Sequence, residues 1–215
     1  LSDVRKSQSI KELANSKFVI HLCLCKKGDG FFLYSFEVAD LILKELVTIY
    51  PCYKALSHFV AYICACYEEL VEFLDEVKSE EMKSKLNSIS IFHIWYHQQI
   101  TTYVTGNIRL GGKTFWRHIF NRILTIQNEF LSSIESISDS EFAKRLKTKI
   151  RGTIEELEKQ LKMFHCLREG DVSIIFAINE AQLLMVPNKG LGNNSLYHYF
   201  CVASSTIPGY DPDVK

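Results

Sequence analysis

The chain has 215 residues, of which 47% are hydrophobic, and its 25 Lys and Arg residues balance its 25 Asp and Glu residues. This length allows one large domain or two small ones. A net charge of zero argues against a surface that binds nucleic acid through its phosphates. No apolar run approaches the roughly 18 residues that a membrane-spanning helix needs, so no membrane partner is expected.

Seven cysteines are present, an odd number without a CxxC pair. The two CxC pairs do not match the spacing of structural zinc sites. Most of the cysteines lie in apolar runs, which is typical of buried free thiols in a reducing compartment. The sequence therefore predicts no metal site and an intracellular location, and a protein that is secreted and then enters another cell is compatible with it.

Two patterns stand near the N-terminus. Ser9-Ile10-Lys11-Glu12 fits a capping box with Ser9 as the N-cap, and it predicts a short helix through Ala14. The apolar run from Phe18 to Cys25 predicts a buried strand.

The following region is predicted to be helical. Apolar residues recur at helical spacing from Ser35 to Tyr50 and from Cys52 to Val77, with Pro51 between the two segments. Ile89 to Val104 is a further predicted helix. The second helix ends in an acidic run for which a solvated face is the ordinary explanation: Glu68, Glu69, Glu72, Asp75 and Glu76.

His93 and His97 share a helix face, as zinc ligands do in HExxH motifs. Ile94 stands where that motif has its Glu, so the pair does not predict a metal site.

The glycine-rich segment from Gly106 to Thr114 ends in Gly112-Lys113-Thr114 and precedes a predicted helix from Phe115 to Ser133. A P-loop has the pattern GxxxxGK[ST], and here the first Gly stands one position too early. The main interpretation is a turn in which Thr114 caps the helix. Phosphate binding by Gly112, Lys113 and Thr114 is the alternative.

Ser138-Asp139-Ser140-Glu141 is a second capping box, and it predicts a helix to about Cys166. The run from Ser173 to Ile178 predicts a fully buried strand that ends in Asn179-Glu180. Such strands lie in sheets that are covered on both faces, and open α/β sheets place ligands at the carboxyl ends of their strands. Leu183 to Met185 predicts a short helix, and Tyr197 to Ala203 predicts an aromatic strand.

Three stretches resemble a fungal family of P-loop ATPases that is related to the C-terminal ATPase modules of Crinkler-type effectors. The stretch RKSQSIKELA, residues 5–14, resembles the family's Walker A residues GKSR and the helix after them. The stretch FAINEAQLL, residues 176–184, is similar to the family's Walker B stretch FAFDEAHxL. The stretch FCVASST, residues 200–206, resembles a later family strand that ends in Ser or Thr.

The resemblance implies an α/β fold, with a few-stranded, mostly parallel sheet of the P-loop NTPase type and a large helical insertion, predominantly α by residue count. Residues 1–34 and 169–215 would carry the strands, and residues 35–168 would form the helical region of the same single domain. The implied catalytic residue is Glu180, which would orient the attacking water. The implied nucleotide-binding residues are Lys6, Ser7, Asn179, Ser205 and Thr206.

The chain departs from the family pattern in several places. No Gly-rich loop precedes the Walker Lys, and Cys23-Leu24-Cys25 replaces the family's strand ending NLR. Arg5 replaces the Gly before the Walker Lys, and Asn179 replaces the Asp of the magnesium shell. We therefore expect a degenerate NTPase-like module that acts as an intracellular interaction or virulence effector protein by protein binding, without a cofactor. One alternative is an active ATPase that uses ATP and magnesium with Lys6 (or Lys113) and Glu180. Another is a mainly helical protein-binding domain unrelated to NTPases.

A protein partner is expected to dock on the helical region, where aromatic residues are frequent and exposed ones make good anchors. The candidates are Tyr53, Phe59, Tyr62, Tyr67, Trp95, Tyr96 and Trp116, although most of them are expected to belong to the core.

Overall fold

A computed structural model describes residues 2–24, 35–44, 52–78, 91–100, 112–132, 138–164, 174–187 and 193–205. The helices in these ranges are α1 (Ser2–Leu13), α2 (Phe36–Lys44), α3 (Cys52–Val77), α4 (Ile91–Ile100), α5 (Gly112–Leu131), α6 (Asp139–Lys162) and α7 (Leu196–Ser204). The strands are β1 (Phe18–Cys23) and β2 (Ile174–Asn179), and a 3₁₀ helix covers Ala181–Leu184.

The two strands form a small parallel sheet in which Phe18 lies opposite Ile174 and Cys23 opposite Asn179. Helices make up most of the remaining described residues. The prediction of a mixed α/β fold with predominant helix is therefore confirmed. A parallel pair needs a long crossover connection, and the helices between the strands in sequence belong to that connection.

The alternation of side chains along each strand divides the sheet into two apolar faces. On one face, Ile20 and Phe176 join the main core around α3. On the other face, Val19 and Ile175 pack with Ala14 and with Tyr96 of α4. The sheet therefore lies between the helical bundle and a layer formed by α1 and α4.

The two strands differ in burial, which corrects one expectation. All six residues of β1 are buried, whereas all six residues of β2 are only partly buried. The prediction that the strand before Asn179 is fully buried is wrong, and the buried strand of the pair is β1. Side chains close the outer edge of β1, since Gln99 and Ser35 form hydrogen bonds with its backbone.

Helix α3 is the central element of the bundle, and its bounds agree with the predicted Cys52 to Val77. Helices α5 and α6 pack along it on two sides. Helix α5 runs antiparallel to α3, because Gln127 contacts His58 and Arg122 contacts Glu69. Helix α6 runs in the direction of α3. Its predicted N-cap is confirmed, because the Ser138 side chain accepts a hydrogen bond from the Glu141 amide.

Two predicted helix caps are wrong. Helix α1 begins at Ser2, so Ser9 lies in its interior and is not a cap. Helix α5 begins at Gly112, so Thr114 is already its third residue. In both cases the helix extends further towards the N-terminus than the local capping signal indicated.

The predicted strand from Tyr197 to Ala203 is also wrong, because this segment forms helix α7. The Ser195 side chain accepts a hydrogen bond from the His198 amide and caps the helix. Leu196, Tyr199 and Ala203 are buried, and their spacing places them on one helical face. Burial of that face against α3 outweighs the β-propensity of the aromatic residues.

The thiols described in the structure are free, and those of Cys23, Cys64 and Cys66 are buried. Burial raises the pKa of Cys64 to about 12 and raises that of Cys66 as well. These thiols fit the predicted buried class, and the side chains of Cys25, Cys52 and Cys166 lie outside the described residues. Among the helices that the structure describes, none has the length and apolarity that a bilayer crossing requires.

Candidate functional site

The carboxyl ends of the two parallel strands lie side by side and bring Asn179 next to Cys23. Glu180 follows β2 with a left-handed backbone, φ 60° and ψ 33°. This conformation costs a non-glycine residue about 1–3 kcal/mol and is typical of functional turns. The Glu180 carboxylate accepts a hydrogen bond from Gln182. The sequence-predicted pair Asn179-Glu180 therefore lies at the strand ends, as expected.

Asn179 belongs to a polar cluster on the α1 and α4 side of the sheet. Its side chain is hydrogen-bonded to His21, which is 2% exposed. The Tyr96 hydroxyl lies 3.4 Å from Nδ1 of the same imidazole. Burial lowers the pKa of His21 to about 4, although the hydrogen bond with Asn179 opposes this shift. His21 is therefore neutral at pH 7.

Lys6 and Ser7 lie inside α1, after the turn that begins the helix at Ser2. Only the first four amides of a helix lack an intrahelical acceptor. The amides of Lys6 and Ser7 come after these and bond to carbonyls of the preceding turn. They are consequently not available to wrap a phosphate, which is how a P-loop binds its nucleotide. The side chains of both residues lie outside the described part.

The alternative phosphate residues Gly112, Lys113 and Thr114 form the first turn of α5. A helix N-terminus favours anions. Thr114, however, lines a cavity of about 80 Å³ together with three carboxylates, those of Glu69, Glu72 and Glu76. These charges repel a phosphate, and the cavity is smaller than the roughly 300 Å³ at which ligand pockets begin.

Ser205 is the C-cap of α7, and its hydroxyl donates a hydrogen bond to the Val202 carbonyl at 2.8 Å. It therefore follows a helix and not the strand that the resemblance implied. Thr206 lies outside the described residues. The structure does not bring Ser205 together with Glu180 in any hydrogen bond among the described residues.

The resemblance implies that the site binds a nucleotide together with magnesium. The side chains described at the ends of the two strands do not fit that ligand. A magnesium site uses carboxylate oxygens together with phosphates. Here the residue next to Glu180 is the neutral Asn179, whose side chain is bound to His21.

The aromatic residues expected to offer a docking surface are core residues. The most exposed of those described is Tyr67, with 5% of its surface exposed. Phe59, Tyr62, Trp95, Tyr96 and Trp116 are all buried as well, and the side chain of Tyr53 lies outside the described residues. The described members of this aromatic set therefore offer no exposed docking surface.

A network of ion pairs connects α3, α5 and α6. Arg122 of α5 binds three carboxylates, with Nε 3.1 Å from Glu69, Nη1 3.7 Å from Glu68, and a further contact to Glu72. Lys149 of α6 binds Glu68 at 3.0 Å. Burial lowers the pKa of Arg122, but its hydrogen bonds and charge contacts with Glu72 and Glu69 outweigh that effect and raise it.

Glu69 is only 9% exposed, so the expectation of a solvated acidic face is wrong for this residue. Burial raises the pKa of Glu69, and the charges of Arg122 and His118 oppose the shift. The buried carboxylate is compensated by these two neighbours from α5.

A groove of about 490 Å³ lies over this network, and we call it the α5–α6 groove. Its floor is formed by α3 and its two walls by α5 and α6. The lining residues are Glu68, Val71, Glu72, Arg122, Thr148, Lys149, Gly152, Thr153 and Glu156. Arg122, Lys149 and Gly152 were not singled out from the sequence. The one local signal was the Gly at position 152, inside a long amphipathic helix.

A smaller cleft of about 330 Å³ lies between α1 and α4 and is lined in part by His93 and His97. The centres of the two imidazole rings are 4.2 Å apart. Burial lowers the pKa of His97, with further contributions from the charges of His93 and Lys11. In the part of the chain that the structure describes, no group of three or more His, Cys, Asp or Glu is placed to hold a metal ion.

Comparison with protein-family models, with curated proteins and with solved structures finds no match to this chain.

Proposed function

We propose that the chain is a P-loop-like module without nucleotide turnover that acts by binding another protein. The observation that carries this proposal is the polar pair at the carboxyl end of β2, where Asn179 is the last residue of the strand and Glu180 follows it. Asn179 is neutral and bound to His21 at the position where P-loop enzymes use a carboxylate for magnesium. The neighbouring Glu180 carboxylate is hydrogen-bonded to Gln182. By the resemblance in its sequence, the module would be an intracellular interaction or effector protein.

An active ATPase is the second candidate, and one observation favours it. Glu180 has a left-handed backbone at the end of a parallel strand, where α/β enzymes place catalytic residues. A mainly helical binding domain unrelated to NTPases stays as a third candidate, since the described residues are mostly helical.

The test is calorimetry with ATP and magnesium, combined with an assay of phosphate release. We expect neither binding heat nor release above background for the wild type, for Glu180→Gln and for Glu158→Gln, an exposed acid on α6 that serves as a control. Micromolar ATP affinity, with a magnesium-dependent turnover that Glu180→Gln abolishes and Glu158→Gln preserves, would show that the ATPase candidate is correct.

A further inference from the structure

We propose that the α5–α6 groove binds a helix of the partner protein, and that this helix presents basic side chains. The inference rests on the proposed protein-binding function and adds to it the place of binding and the chemistry of the partner.

The geometry of the groove is that of a helical bundle with one position open. Helices α5 and α6 both pack along α3. The ring of Phe130, near the end of α5, contacts the ring of Phe142, near the start of α6. From Lys149 to Glu156 the wall formed by α6 covers about two helical turns, roughly 10 Å. A helix laid between α5 and α6 would contact α3 at Val71, in the manner of helix-in-groove recognition.

Gly152 is a second feature of the groove wall. It lies in the interior of α6, where Gly is less favourable than Ala. A Cβ atom at this position would meet nothing within 4 Å, so packing inside the chain does not require a Gly. A Gly that faces open space in the wall of a groove allows the backbone of another helix to approach closely.

The charges of the groove define the partner's chemistry. Three carboxylates and two cations line it, and the cations Arg122 and Lys149 are already engaged by Glu68, Glu69 and Glu72. The most exposed acidic side chains are those of Glu72, at 59%, and Glu156, at 48%. Glu72 shares Arg122 with two other carboxylates, and Glu156 is paired with Lys159 at 3.5 Å, so the lining keeps an excess of one negative charge. A Lys or Arg on the bound helix would compensate this excess, whereas an acidic helix would be repelled.

The test is a selection on the immobilised full chain from a displayed library of helical peptides of about 18 residues, five turns long. We expect enriched peptides with Lys or Arg next to an apolar stripe. Their affinity, measured by fluorescence anisotropy, should fall about tenfold or more with Gly152→Phe, which fills the groove. The control Lys147→Phe adds the same ring at an exposed position of α6 outside the groove and should leave the affinity unchanged.

Thr148→Phe is a second blocking variant, for use if Gly152→Phe does not retain its helical circular dichroism. Glu72→Gln with Glu156→Gln should weaken binding and reduce its dependence on salt. A selection without binders, binders that lack basic residues, or binders that tolerate the blocking variant would each overturn the groove assignment. Peptides that still bind the blocking variant would contradict the groove assignment but not the protein-binding function. Magnesium-dependent ATP turnover would contradict the protein-binding function itself.

Discussion

The side-chain oxygen of Gln99 accepts a hydrogen bond from the backbone amide of His21 at 2.9 Å. The amide nitrogen of Gln99 donates to the Val19 carbonyl at 2.7 Å, and the Trp95 indole donates to the same carbonyl at 3.0 Å. Further along the strand, the Ser35 hydroxyl bonds to the amide and the carbonyl of Cys23. Side chains thus provide on this edge of β1 the hydrogen bonds that another strand would otherwise make.

Gln99→Met should lower the free energy of unfolding by about 1–3 kcal/mol, because the buried His21 amide would lose its acceptor while the volume of the side chain is nearly kept. Urea unfolding followed by circular dichroism measures this loss. Gln8→Met, at an exposed position of α1, is the control and should change stability by less than about 0.5 kcal/mol. If Gln99→Met and Gln8→Met changed the free energy of unfolding equally, the hydrogen bonds at the edge of β1 would contribute nothing to stability.

Arg122→Met should destabilise the fold at pH 7 by about 2–3 kcal/mol, because it leaves the buried Glu69 carboxylate without its main counterion. The loss of Arg122 raises the folded-state pKa of Glu69 further above 4.5. The stability difference from the wild type should therefore be largest at neutral pH. It should shrink as the pH falls through that raised pKa, since the protonated carboxyl needs no counterion.

The double variant Arg122→Met with Glu69→Gln is the control for this interpretation. Removing the buried charge together with its partner should recover part of the lost stability at pH 7. A double variant that is less stable than Arg122→Met would show that Glu69 stabilises the fold through contacts other than this ion pair.

His21 should titrate with a pKa of about 4, since burial disfavours its protonated form. The imidazole of the unfolded chain titrates near 6.5. Between these two values the unfolded state binds more protons, so the contribution of His21 to stability falls as the pH drops from 6.5 towards 4. Two-dimensional NMR of the histidine rings measures the pKa directly, and a value near 6.5 would contradict the buried position.

Gly152→Ala should raise the free energy of unfolding by about 0.5–1 kcal/mol, because Ala is the better helix former and its Cβ meets no neighbour. Thermal unfolding of the two proteins measures the change. A loss of stability would show that position 152 is closely packed, and it would remove the reason for treating this Gly as part of a binding groove.

Ser195→Ala should cost about 1 kcal/mol, because the Ser195 hydroxyl caps α7 by accepting from the His198 amide. Ser16→Ala, in the exposed turn before β1, is the control and should be nearly neutral. If both substitutions are neutral in urea unfolding, the cap does not stabilise α7.

Local sequence patterns predicted the helices and strands that are defined by apolar residues within a single segment. The apolar stripe after Pro51 defined α3, and apolar runs defined β1 and β2. Helix α7 was missed because its aromatic residues favour strands in isolation, although the Ser195 cap and the buried Leu196, Tyr199 and Ala203 carry a helical pattern.

Contacts between distant parts of the chain had no local signal. Nothing near Gln99 in sequence indicates that it binds β1. Glu69 looks like any other residue of an acidic helix end, and its burial follows from the position of α5, which brings Arg122 to it. The part of the candidate site that came from the sequence is Asn179-Glu180, because a carboxyl strand end can be inferred from one segment alone.

The closed edge of β1 also limits how copies of this chain can associate. Fibrous growth by strand pairing requires two open edges on every copy, so that each molecule is both acceptor and donor. Gln99, Trp95 and Ser35 block one of these edges. Any pairing through this sheet would have to use β2, and it would end with two chains instead of propagating into a filament.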